Sequence, residues 1–302
     1  MRHDSASREQ GAASIWRRFQ LECLGFRSMK ELLDYVTASL LTNLDGIDPI
    51  VFGSVPTEVV EICRLASTLV IQPHEAQVLG LSAERFGENQ IRHADRLIAA
   101  LLELDPAPLD VARDRSRRVI GTCRHFAVIS CALLRHRGFA SRVRCGFATY
   151  FQPGQGVDHW ITEYRDKTHG RWVRIDSEIL GQGILEHPED LDAGEFLSGG
   201  EAWVAFRDGH LDAATFGVYG TENWGPAEIR GNAIKDLAAL NKFEMLPWDE
   251  WGRMTASYNG ETGPDYDDLI DTIAATCIRD DTAEIMDLYA LEELRVPAEL
   301  LP

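Results

Sequence analysis

The chain has 302 residues, 45% of them apolar, with a formal net charge of −18 at pH 7, enough to bury a large core in one big domain or in a catalytic domain with an appendage. Such an acidic balance excludes sequence-independent nucleic-acid binding, because phosphate contacts need a basic surface. No apolar run reaches the roughly 18 residues that span a bilayer, and the N-terminus MRHDSASREQGAAS lacks an apolar secretory core, so neither a membrane nor nucleic acid is an expected partner and a cytoplasmic location is expected.

Residues 1–109 read as a helical region. SMKELLDYVTASLL (28–41), PTEVVEICRLASTLV (56–70) and SAERFGENQIRHADRLIAALLEL (82–104) place apolar residues at three- and four-residue spacing. Pro56 and Ser82 are start signals, and DPAP at 105–108 is a break. Residues 122–137 differ: Phe126, Ala127, Val128, Ile129, Cys131, Ala132, Leu133 and Leu134 leave hardly any polar face, which predicts a helix buried in a core. After Gly138 the period changes. SRVRCGFATYF, DHWITEYRD and RWVRIDSEI are rich in β-branched and aromatic residues, and QPGQG and KTHG separate them as turns. Three short-linked strands predict an antiparallel sheet. Beyond residue 183 the helical pattern returns in EFLSGGEAWVAF, AEIRGNAIKDLAALNKF and the acidic AEIMDLYALEEL. The fold class is α+β, divided as 1–109 helical, 110–182 core and 183–302 helical extension, the last packed with the core.

Charge is spread unevenly. Residues 113–144 hold nine arginines (Arg113, Arg115, Arg117, Arg118, Arg124, Arg135, Arg137, Arg142, Arg144) against Asp114 alone, and residues 261–302 hold twelve acids against Arg279 and Arg295. These regions read either as solvated faces that neutralise one another or as a basic rim that would attract an acidic substrate or carrier protein. Six cysteines without C-x-x-C spacing argue against a zinc knuckle and a disulfide framework, and the histidines lack an H-E-x-x-H pattern, so no metal and no cofactor is expected.

Cys123 opens the buried helix. There, unpaired backbone N–H groups and nearby cations would favour the thiolate, the form in which a cysteine is a nucleophile. It needs a base and a group to hold that base. His159 shares a strand face with Glu163, Asp176 shares one with Arg174, and the KTHG turn brings the two strands together in a register compatible with a His159–Asp176 pair.

G-T-C-R-H-F-A at 121–127, R-H-R-G-F-A-S-R-V-R-C-G-F at 135–147, D-H-W-I-T-E at 158–163 and R-W-V-R-I-D at 171–176 together resemble the transglutaminase-like superfamily over roughly residues 110–180. The resemblance implies a papain-like core and a Cys123, His159, Asp176 triad that transfers or hydrolyses an amide or related acyl group through a thioester, with Trp160 and Glu163 as supporting candidates. Two departures stand out: the aromatic residue follows His159 directly, so that Trp160 faces the other side of the strand, and His125 occupies a position that is often acidic or aromatic. Two positions along a helix is a rotation of about 200°, so His125 points away from Cys123 and is not the base. Substrates implied are peptide, protein or small acyl compounds, with hydrolysis favoured over transfer because water is always present. Two other readings stay open: a non-catalytic scaffold, and amide formation on a carrier-bound thioester. The oxyanion would be held by the Cys123 N–H and a second donor that the sequence does not identify.

Overall fold

In a computed structural model describing residues 33–301, the chain from Leu33 onward is one compact unit. Helix α1 (Val59–Ser67) is followed by the two-residue strand β1 (Val70–Ile71), helix α2 (Pro73–Val78) and helix α3 (Ala94–Leu104). Strand β2 (Val119–Ile120) pairs with β1 in parallel and leads into helix α4 (Cys123–His136). Strands β3 (Ser141–Ala148), β4 (Gly156–Asp166) and β5 (Arg171–Ile175) form the expected antiparallel meander. Helix α4 is buried from Cys123 to Arg135. It lies against the meander, where the Thr162 hydroxyl donates to the Ala127 carbonyl at 3.1 Å, and Trp160, Val143, Cys145 and Ile175 share its core. This is the α+β arrangement that the resemblance implies, a buried helix on an antiparallel sheet.

The C-terminal region adds more than helices. Strand β6 (Phe196–Ser198) pairs with β3, and strand β7 (Phe216–Gly217) pairs in parallel with the start of β4. Two glycines allow this: a Cβ on Gly146 would lie 2.0 Å from the Leu197 carbonyl oxygen, and one on Gly156 would lie 2.2 Å from the Phe216 ring. The helical reading of EFLSGGEAWVAF therefore fails for its first residues. Helix α5 (Gly199–Arg207) begins only after Ser198, whose hydroxyl accepts from the Glu201 N–H at 3.3 Å while Glu201 accepts from the Ser198 N–H at 2.8 Å, a reciprocal cap that fixes the boundary. Helices α6 (Pro226–Leu240), α7 (Met254–Tyr258), α8 (Pro264–Arg279) and α9 (Thr282–Tyr289) complete the unit.

Two further helical expectations are corrected. Of the segment expected to be a helix over 28–41, residues 28–32 lie outside the described residues and 33–41 are not helical. Tertiary bonds hold that stretch in bends: the Tyr35 hydroxyl donates to the Leu240 carbonyl at 2.9 Å, the Ser141 N–H to the Tyr35 carbonyl at 3.0 Å, and the Lys242 ammonium to the carbonyls of Asp34 and Thr37 at 2.8 and 2.9 Å. The segment 82–104 is split into a 3-10 turn (Ala83–Gln90) and α3. Arg85 in that turn reaches Glu88 at 2.6 Å and the carbonyls of Ser116 and Arg118 at 2.6 and 2.5 Å, and Glu88 accepts from the Ile120 N–H at 2.8 Å. Clamping to β2 thus outweighs helix propensity.

The arginine-rich stretch is mostly internal scaffolding. Arg113 donates to the Pro108 carbonyl at 3.3 Å, Arg117 to Leu104 at 2.7 Å, Arg124 to Glu244 at 2.8 Å, Arg135 to Ser141 at 3.0 Å and Arg137 to Pro56 at 3.2 Å. Arg142 meets Asp280 of the acidic tail at 2.5 Å, so the two biased regions neutralise one another directly at that point.

Candidate active site

Cys123 is the first residue of α4, where backbone N–H groups have no partner within the helix. The helix entry is fixed locally, because the Thr122 N–H donates to Nδ1 of His125 at 3.0 Å. Burial holds the His125 pKa down at about 3, so this ring stays neutral and serves the helix cap. It is not available as the base.

His159 and Asp176 meet at the other side of the site. Asp176 follows directly on Ile175, which pairs with Thr162, so it lies diagonally from His159 rather than opposite it. The contact is made all the same: His159 Nε2 lies 2.9 Å from Asp176 Oδ2, with both side chains buried. The carboxylate is further held by the Tyr150 hydroxyl at 2.5 Å on Oδ2 and by the Glu178 N–H at 2.9 Å on Oδ1. The rings of Phe151 and Tyr150 stand 5.0 and 6.2 Å from the imidazole, so its orientation is set by packing as well as by hydrogen bonding. With Nε2 committed to Asp176, Nδ1 is the nitrogen left for the thiol.

Burial alone would push the His159 pKa down, but the Asp176 carboxylate and Cys123 reverse this and hold it well above the usual histidine value. Burial pushes the Cys123 thiol up, and the neighbouring His159 ring pulls it part of the way back. Desolvation thus works against the thiolate and the neighbouring imidazole works for it. The other described cysteines, Cys63, Cys131, Cys145 and Cys277, are free, buried and likewise pushed up by burial; Cys23 lies outside the described residues.

Cys123 and His159 line one cavity of about 520 Å³. Its wall comes from five parts of the chain: Gln72, His74 and Glu75 at the start of α2, Thr122, Cys123 and Phe126 at the start of α4, Phe151 to His159 around the head of β4, Glu178 after β5, and Tyr219 and Trp248 from the C-terminal region. Sequence reasoning missed Gln72, Glu178 and Tyr219, whereas Trp248, in the turn-rich PWDEWG patch, is one of the tryptophans it allowed either to anchor the C-terminal helices or to line a cleft. The only signal for the first three was proximity in space, which the sequence does not carry. None of the nine arginines lines this cavity, so the expected basic rim for an acidic carrier is not present there.

The two supporting candidates lie elsewhere. Trp160 is packed in the α4 core, on the strand face opposite His159. Glu163 lines a separate cavity, where its carboxylate meets Arg142 at 2.7 Å, Arg144 at 3.1 Å and Arg174 at 3.2 Å. Among the described residues, no group of three or more His, Cys, Asp or Glu side chains is arranged to hold a metal ion, and no helix is long and apolar enough to cross a membrane.

Among curated proteins no match to the chain is found. A solved structure of a candidate cysteine protease from Cytophaga hutchinsonii is similar at 16% identity and a TM-score of 0.32, over 53% of this chain, which spans about half (47%) of that protein's length. The family model of the transglutaminase-like superfamily matches residues 103–177, so the stretch that supplies Cys123, His159 and Asp176 is similar to the core of that superfamily.

Proposed function

We propose that the protein is a cysteine enzyme in which Cys123 attacks an amide or related acyl carbonyl, His159 moves the proton and Asp176 holds the imidazole. The observation that carries this reading is the placement of a helix-opening thiol in one cavity with an imidazole whose Nε2 is bound at 2.9 Å by a fully buried carboxylate. In the first half-reaction the thiol proton passes to His159 Nδ1 and sulfur adds to the carbonyl carbon; the C–N or C–O bond then breaks as the imidazolium protonates the leaving group, leaving a thioester. In the second, His159 takes a proton from water or an amine, which attacks the thioester and releases the sulfur as thiolate. Asp176 fixes the tautomer and stabilises the imidazolium throughout. The Cys123 N–H at the helix start is one donor suited to the oxyanion. A volume of about 520 Å³ is of the size of small-molecule sites.

The test is competitive labelling of the folded protein with limiting iodoacetamide near neutral pH, followed by peptide mapping. Cys123 is expected to take up the label well ahead of Cys131 and Cys277. Equal rates would remove the activated nucleophile from the proposal.

A further inference from the structure

One acid in the cavity has no task in the mechanism. Glu178 stands two residues beyond Asp176 on the wall of the Cys123 cavity, and its Oε2 is shut off from bulk solvent yet accepts no hydrogen bond. A buried acceptor without a donor costs stability, and a donor from outside the chain would remove that cost. The other acids on this wall are already engaged: Glu75 pairs with Arg115, and Asp158 accepts from the Asn232 amide at 2.7 Å.

The surroundings select the missing donor. No lysine or arginine lines the cavity, and Phe151, Tyr219 and Trp248 supply aromatic faces, the last two exposed at the surface. A carboxylate backed by aromatic rings is the combination that recognises an organic cation, by a charge-assisted hydrogen bond and cation–π attraction. The net charge of −18 adds a long-range field of the same sign.

We propose that Glu178 is a specificity-determining residue and that the substrate carries an ammonium or guanidinium group, close to its reacting acyl group, that donates to Glu178 Oε2. This rests on acyl transfer by Cys123. Burial raises the Glu178 carboxyl to about 7, against the pull of His159 and the Gln72 side chain, so an arriving cation also favours its ionisation.

The experiment compares the 4-nitrophenyl esters of N-acetyl-lysine and N-acetyl-norleucine, the second an uncharged analogue of the first, on the full chain and on the Cys123→Ala and Glu178→Gln variants. The quantity read is the ratio of kcat/KM for the two esters, since an unfolded fraction lowers both rates alike. The unmodified protein is expected to prefer the lysine ester by about tenfold, the size of one charge-assisted hydrogen bond, and Glu178→Gln to bring the ratio near one. Cys123-dependent turnover with a ratio near one in the unmodified protein, or a preference that survives Glu178→Gln, overturns the cation assignment and leaves acyl transfer standing. Turnover that survives Cys123→Ala, or none that depends on Cys123, overturns both.

Discussion

Strand β4 carries two clusters of ionisable groups on one face, four residues apart, and they are built in opposite ways. Around Glu163 the charges are matched: three arginines share its carboxylate, Arg144 also meets Asp236 at 2.8 Å, and Arg174 also meets Glu201 at 2.8 Å. These partners come from α5 and α6, so the cluster ties helices to the sheet. Around His159 the far side is equally well matched, with three donors on Asp176, but the near side opens onto a cavity that the Cys123 thiol lines and where Glu178 Oε2 has no hydrogen-bond partner. Where every charge has its counterpart the result is architecture. Where the set is incomplete, a substrate can complete it.

Three substitutions sharpen or break this contrast. The largest effect is expected at the matched side of the site: Asp176→Ala should lower kcat/KM for a Cys123-dependent ester by about 10³–10⁴-fold, the scale of losing the orienting group of a triad. It should also move the alkaline limb of the pH profile to lower pH. The carboxylate is what holds the His159 pKa up against burial, so without it the imidazolium loses its proton earlier; an unmoved limb would detach Asp176 from the ring's protonation.

Next comes Glu163→Gln, which leaves buried arginines short of their counter-charge and should cost about 3–5 kcal/mol in denaturant unfolding, while kcat/KM per folded molecule stays close to that of the unmodified protein. A selective loss of activity would bring Glu163 into the site. Burial alone would raise the Glu163 pKa, but Arg144, Arg142 and Arg174 hold it far below the ordinary 4.5. Its stabilisation is therefore present above about pH 4.5 and lost as pH falls towards the folded-state value, so the gap between the two proteins should narrow in acid. His159 acts in the other direction: its folded-state pKa is raised above 6.5, so its contribution is full below about pH 6.5 and is lost as pH rises through the folded-state value.

The smallest effect is expected for Tyr150→Phe, which removes one of two donors to Asp176 Oδ2. A loss of about 1 kcal/mol, or roughly fivefold in kcat/KM, measured on the same ester, would rank Tyr150 as a residue that positions Asp176; no change at all would mean that His159 and the Glu178 N–H suffice.

The buried helix and the three-strand meander were legible because their signals are local: a helix with no polar face, then a change to a two-residue period with turn residues between. The order of Cys123, His159 and Asp176 could be read for the same reason. What escaped was set by distant parts of the chain. The bends at 33–41 are imposed by Leu240, Ser141 and Lys242. Helix α6 buries Glu228, Lys235 and Asp236, side chains that sequence patterning assigns to a surface. The arginines of 113–144 resembled a basic rim because composition reports charge but not the carbonyls and carboxylates that absorb it. Glu178 gave no signal at all, since its lack of a partner exists only once the chain is folded.

The way β6 and β7 join the sheet bears on how this chemistry could be moved or trimmed. Residues 103–177 do not make a detachable cartridge: cut away from the C-terminal region, β3 loses a neighbour at Gly146 and β4 loses one at Gly156, leaving bare strand margins of the kind that stick to copies of themselves. Cys123 would also lose the part of its cavity wall that Tyr219 and Trp248 supply. A graft onto another scaffold would have to bring nearly the entire polypeptide with it.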